Sequence, residues 1–154
     1  VSVAAGFERL LARHRLVAID TSPFIYHLDA HPAYERLTTA LFRWVEGRSG
    51  RAVTSTLTMT ELLVQPMRRE QAALVNTIFA LGATYPHLDW IAPTLAIAER
   101  AAHVRARHGL RTPDAIQAAT ALESGATLLV TNDTAFRRVG DLEVAVLDDL
   151  LRTR

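Results

Sequence analysis

The chain has 154 residues, 49% hydrophobic and 21% charged, with a formal net charge of +1. This suits one folded domain with a sizeable core, and argues against a disordered chain or a strong polyanion binder. All 17 basic residues are arginine and there is no cysteine, which excludes P-loop, Schiff-base and kinase lysines, disulfides, thiolate zinc and cysteine nucleophiles.

No stretch reaches the ~18 apolar residues of a membrane span. The opening VSVAAGFERLLARHR lacks the basic start of a signal peptide, so a soluble cytoplasmic protein is expected. Within it, FERLLAR reads as a short amphipathic helix. LVAID, Leu16 to Asp20, is a buried strand ending on a carboxylate. Thr21-Ser22-Pro23 then caps a helix whose apolar face includes Phe24, Ile25 and Leu28. A second helix starts near Pro32, with Tyr34, Leu37, Leu41, Trp44 and Val45 as its stripe and Gly47 as its stop.

RAVTS, Arg51 to Ser55, is a short strand. TLTMTELLVQP reads as a helix ended by Pro66, with Thr58 and Glu61 at the spacing of a capping box. Arg69 to Leu81 is a longer helix with Leu74, Ile78 and Leu81 inside, closed by Gly82. LDWIA, Leu88 to Ala92, is a third strand. Thr94 to His108 is a helix stopped at Gly109. Thr112 and Pro113 then open another helix, with Asp114 in its first turn and Gly125 as its stop. ATLLVT is a doubly covered strand leading to Asn132-Asp133. Phe136 anchors a short helical turn, Gly140 breaks it, and VAVLD, Val144 to Asp148, is a last strand.

Strands alternate with helices, so the expected class is α/β: a mainly parallel five-stranded sheet with helices on both faces. In such folds the N-terminus of a connecting helix lies at the same sheet edge as the strands' C-termini, where ligands collect. Asp20, Glu61, Asp114 and Asp133 all come from junctions at that edge. They converge if the first and fourth strands are neighbours.

Each acid has a plain structural reading. Glu61 fits a capping box, Asp114 a first-turn acid favoured by the helix dipole, and Asp133 a turn residue. Asp20 is hardest to dismiss, because a desolvated carboxylate needs a partner. Glu35, Glu70, Glu99, Glu123, Asp141 and Glu143 read as solvated faces, and Asp148 stays a weak candidate. Two unit charges 4 Å apart repel by about 4 kcal/mol at an effective dielectric of ~20. Four gathered carboxylates therefore share protons or bind a dication. Oxygen ligands without cysteine or paired histidine select Mg²⁺ or Mn²⁺, the chemistry of a metal-dependent nuclease. Arg68, Arg69, Arg105, Arg107, Arg111, Arg137 and Arg138 are candidates to line a phosphate groove, against a reading as solvated surface arginines. Arg111 stands nearest an acid.

AIDTSPFIYHLD, TMTELL, TPDAIQAATAL and LLVTNDTAF, in that order, resemble the four acidic motifs of PIN domains. The resemblance is greatest to the VapC-type toxin ribonucleases of bacterial and archaeal toxin–antitoxin pairs. It runs from about Leu16 to the last strand and implies a three-layer α/β/α fold. The length reads as one domain over residues 1–154, and residues 1–15, an N-terminal helical extension, depart from the family pattern, in which the domain often starts at the first strand; the extension is expected to cover the sheet edge or enlarge a dimer interface. The resemblance further implies a Mg²⁺- or Mn²⁺-dependent endoribonuclease with Asp20, Glu61, Asp114 and Asp133 as its acidic quartet. Thr21, Ser22 and Thr131 match positions that orient carboxylates through hydroxyls, and Asn132 a common polar neighbour. Such toxins form homodimers and are inhibited by a small antitoxin. The competing reading is a catalytically silent PIN-like module that binds RNA or a protein. A haloacid-dehalogenase-type phosphohydrolase is disfavoured, because Ser22 stands where its D-x-D would need an acid.

Overall fold

The computed structural model describes residues 2–47 and 50–153. Its elements in chain order are α1 (Val3–Leu11), β1 (Leu16–Ile19), α2 (Thr21–Leu28), α3 (Glu35–Glu46) and β2 (Arg51–Ser55). They continue with α4 (Thr56–Arg68), α5 (Ala72–Thr84), β3 (Leu88–Ile91), α6 (Leu95–His108), α7 (Thr112–Ser124) and β4 (Leu128–Thr131). A 3-10 turn (Thr134–Arg138), β5 (Glu143–Val146) and α8 (Leu147–Arg152) complete them.

The five strands form one sheet in the order β3-β2-β1-β4-β5, and every pairing is parallel. Alternate residues of the central strands feed two cores. Val17, Ile19, Ala52, Leu128 and Val130 face the layer of α1 to α5 and α8. Ala18, Val53 and Leu129 face the layer of α6, α7 and the 3-10 turn. Two-residue periodicity with both faces covered produces the three-layer α/β/α arrangement. The chain moves outward from β1 to β2 and β3, then crosses to the other side for β4. The switch point, where ligands gather in such sheets, lies between β1 and β4.

Local chemistry sets most boundaries where the sequence pattern puts them. Thr94 caps α6 by accepting from the Ile97 N–H at 3.2 Å. Gly109 and Gly125 end α6 and α7 with φ of 69° and 79°, a left-handed turn that a Cβ would oppose.

Several boundaries differ from expectation, among them the start of α7, where Thr112 is the first helical residue and not the cap. α4 is capped by Ser55, whose Oγ accepts from the Leu57 N–H at 3.2 Å, so Thr58 is not a cap and Glu61 lies in the second turn. Pro66 does not end α4, which runs on to Arg68. Near a helix end, proline forfeits one intrahelical bond and keeps a compatible φ. The break falls at Glu70, with φ of 54°, so α5 starts at Ala72. Leu74 is then 39% exposed instead of inside. Finally, the last strand stops at Val146 and a short helix follows it. Asp148 and Asp149 favour that helix's first turn and Arg152 its last, while Leu147 is fully buried.

α1 is no loose extension. Phe7 and Leu11 are buried in the core, and the helix packs on α3 and α8.

Gly82 does not close α5 but lies within it, and an added Cβ there would press on Met59 Cε at 3.1 Å and rest in ordinary contact with the Trp90 indole at 3.9 Å. A methionine methyl is free to move. Gly82→Ala should therefore stabilise the fold by about 0.5–1 kcal/mol through helix propensity, read as a raised urea midpoint. A lowered midpoint would show that Met59 cannot yield.

Candidate active site

The parallel β1–β4 pairing places Asp20 and Asp133 at one sheet edge, although the pairing residues are far apart in sequence. Asp20 follows β1 directly and is 9% exposed. Thr131, the last residue of β4, donates its hydroxyl to Asp20 Oδ2 at 2.7 Å, and the Asp133 N–H donates to the same Thr131 hydroxyl at 3.0 Å. Asp133 Oδ1 accepts from the Ala135 N–H at 2.9 Å, which caps the 3-10 turn and holds this acid at the tip. Asp114 is the third residue of α7 and half-buried, and Glu61 stands exposed on α4.

The electrostatics join the four acids into one group. Burial pushes the Asp20 carboxyl up from 3.8 to about 6, against the opposing hydrogen bonds from Thr131 and the Thr21 backbone. Asp114 and Glu61 push it further the same way. The Asp114 carboxyl is also raised, first by burial, then by Asp133 and Glu61, while Arg111 partly offsets them. Mutual repulsion around a buried carboxylate is the condition a dication relieves.

Among the described residues no three histidine or acidic side chains close around a point where an ion would sit. The four carboxylates offer only hard oxygen donors. That donor set fits Mg²⁺ or Mn²⁺, which bind through a few carboxylates and keep much of their water. Asp20 and Asp114 would be the principal ligands, with Asp133 and Glu61 at the margin.

The supporting residues divide. Of the three hydroxyls expected to orient carboxylates, only Thr131 touches one. Ser22 Oγ accepts from the Asn132 N–H at 3.1 Å, and Thr21 Oγ1 lies 3.2 Å from Thr58 Oγ1. Asn132 donates to the hydroxyls of Tyr26 and Tyr34, each at 3.1 Å, and its Oδ1 accepts from the Asp148 N–H at 2.9 Å. Asp148 is thereby taken up as the acceptor of the Tyr34 hydroxyl at 2.6 Å.

The arginines divide as well. Arg111 occupies the N-cap position of α7 near Asp114 without a side-chain capping bond, and Arg69 borders a cleft of ≈ 290 Å³ that also contains Glu61, Asp29 and Gln65. Arg68 is exposed at the end of α4. Arg137 is exposed and paired with Asp149. Arg105 donates to the Thr112 hydroxyl, and Arg107 lines a separate groove with His103 and Asp141. Arg138 is exposed at the end of the 3-10 turn.

The sequence reading missed two polar residues beneath the acids, Thr58 and Gln117. Gln117 was detectable as an amide one helical turn after Asp114, on an otherwise alanine-rich face.

The family model of the PIN domain matches residues 17–142. The chain belongs to the PIN domain family. Solved structures share the fold. VapBC2 from Rickettsia felis, bound to a DNA fragment from its promoter, aligns with a TM-score of 0.65 at 16% identity, over 85% of this chain and 98% of that one. A toxin–antitoxin complex from Klebsiella pneumoniae gives 0.63 at 23%, over 85% and 97%. VapBC-1 from nontypeable Haemophilus influenzae gives 0.61 at 22%, over 86% and 98%. No curated protein matches the chain.

Proposed function

We propose that the chain is a metal-dependent endoribonuclease, the toxin of a type II toxin–antitoxin pair. The observation that carries this reading is Asp20: a nearly buried carboxylate at the strand edge, raised to about 6 and repelled by Asp114 and Glu61. A fold that only bound a partner would gain nothing from sustaining that repulsion. Membership of the PIN family and likeness to complexes described as VapBC or toxin–antitoxin add support.

A bound Mg²⁺ or Mn²⁺ would neutralise phosphodiester charge and acidify a water for in-line attack. The chain's own groups do the rest. Thr131 fixes the Asp20 carboxylate in one rotamer by its hydroxyl. Asp114, anchored in the first turn of α7, supplies the second carboxylate. Asp133 and Glu61 would accept hydrogen bonds from metal-bound water at the rim. Arg111, whose charge acts on Asp114, and Arg69, in the groove with Glu61, would hold flanking phosphates as cations.

The same reading carries a small antitoxin as partner, a homodimer as the assembled form and the cytoplasm as the place of action. Ile25, Val64, Met67, Leu74 and Phe79 leave apolar surface on α2, α4 and α5 for such contacts. Among the described residues no helix is long and apolar enough to cross a membrane.

The test incubates purified protein with a mixed RNA pool in Mg²⁺, Mn²⁺ or EDTA, beside Asp114→Asn. Cleavage should need the metal and fall at least about a hundredfold in the variant, close to 3 kcal/mol of barrier. Cleavage that survives both chelation and the substitution would remove the metal-nuclease reading. Binding of RNA with no cleavage under any condition would favour the silent module.

A further inference from the structure

Thr58 is fully buried in the first turn of α4, and three polar side chains converge on its hydroxyl. Gln117 Nε2 donates to it at 2.6 Å, Thr54 Oγ1 lies 2.8 Å away, and Thr21 Oγ1 lies 3.2 Å away. Thr54, Thr21 and Gln117 are themselves at most 5% exposed.

The proton order follows from the partners. Thr54 spends its hydrogen on the Ile19 carbonyl at 2.7 Å, so it can only accept from Thr58. Thr58 has then used its own hydrogen, so Thr21 must donate to it, as Gln117 does. Thr58 Oγ gives one bond and receives two, which exhausts its capacity. The Gln117 amide is held the same way round by the Ser55 N–H, which reaches Oε1 at 3.4 Å. A flipped amide would set N–H against N–H.

The junction touches the elements that carry three of the four acids. Thr21 follows Asp20, and Ile19 precedes it. Thr58 lies three residues before Glu61 on α4. Gln117 lies three residues after Asp114 on α7.

We propose that Thr58 and Gln117 are positioning residues of the acidic site: their hydroxyl–amide junction sets the spacing of Asp20, Glu61 and Asp114. This rests on the metal-nuclease reading for its purpose, but not for its geometry. Valine at position 58 fills the same volume and leaves two donors and one acceptor unpaired in a buried site. The elements then settle independently, and the acids lose their common spacing.

Two measurements test this. The first titrates Mn²⁺ into apo-protein by calorimetry. Thr58→Val should weaken binding about tenfold, the usual scale for groups that orient ligands. Thr58→Ser, which restores the hydroxyl, should stay within about threefold of wild type by the same reasoning. Gln117→Met removes one arm and should fall between them. A Thr58→Val protein that melts cooperatively and binds Mn²⁺ as wild type does overturns the proposal. If Thr58→Val does not fold, Gln117→Met decides by the same standard. The second measurement is the apo crystal structure of whichever variant folds. Wild-type separations among Asp20, Glu61 and Asp114 in that crystal also overturn the proposal. If wild-type protein binds no Mn²⁺, the metal reading fails, and the crystal alone decides the positioning role.

Discussion

Asp20→Asn is expected to abolish cleavage and, without metal, to make the protein more stable at pH 7. The loss of activity should be about a thousandfold, equivalent to roughly 4 kcal/mol of barrier, because the most enclosed candidate ligand is lost. The stability gain comes from the raised carboxyl, at about 6 against 3.8. Between roughly pH 4 and pH 6 the folded chain keeps a proton that the unfolded chain has released. Folded-state stability therefore falls as pH rises through that window, and the whole cost stands at pH 7. A shift of that size corresponds to roughly 3 kcal/mol. Asparagine carries no charge to desolvate. Its carbonyl oxygen still accepts from Thr131, and its amide can face Asp114. A net gain of about 2 kcal/mol should appear as a Tm higher by roughly 4–8 °C.

The gain should vanish near pH 4, where wild-type Asp20 is protonated as well. Saturating Mn²⁺ should reverse the order, since a ligand at a hundred times its Kd adds about 2.7 kcal/mol to the protein that binds it. Thermal unfolding in EDTA at pH 4 and pH 7, followed by Trp44 and Trp90 fluorescence, measures both limits. A variant that melts below wild type at pH 7 without metal would mean that Asp20 is not strained by its neighbours.

Phe136→Ala is expected to cost about 3–5 kcal/mol, the range for emptying a buried aromatic site. Phe136 is fully buried in the 3-10 turn after β4 and packs in the same core as Ala118, Ala119 and Leu129. Those neighbours sit on the regular α7 and β4 and cannot collapse into the space. A chain of this size with ordinary marginal stability would lose a large share of it. The turn also begins at Asp133, so local fraying should reach the rim acid before global unfolding. Phe136→Leu should cost less than half as much. Urea unfolding measures the difference, and a loss under about 1 kcal/mol would show that the turn repacks around the gap.

Much of this architecture was legible because strong local signals agreed. Val17 to Ile19 and Leu128 to Val130 are apolar runs too short for helices, with turn residues on either side. Gly109 and Gly125 stand where helices need left-handed turns. Asp20 stood out because an acid seldom closes an apolar strand without purpose. Legibility failed where two local rules competed. Thr58 and Glu61 have the capping-box spacing, yet Ser55 comes first and takes the cap. Pro66 marks a stop, yet its burial in the fold offsets the intrahelical bond it forfeits. VAVLD continues as a β-leaning run, yet Asp148-Asp149 turns it into a helix start. The site was harder still. That Thr131 and not Thr21 would reach the Asp20 carboxylate depends on rotamers across the β1–β4 pairing, which no one-dimensional spacing encodes. Arg137 looked free until Asp149, on a helix that was not anticipated, paired with it.

The central place of β1 in the sheet also governs when the site can exist. The partner of β1, β4, lies more than a hundred residues downstream of it. Long-range parallel pairing of this kind is slow to form, because a large loop must close before any contact rewards it. During synthesis Asp20 and Glu61 leave the ribosome well before Asp114 and Asp133. A growing chain would thus have to extend past Asp133 before its four acids could meet.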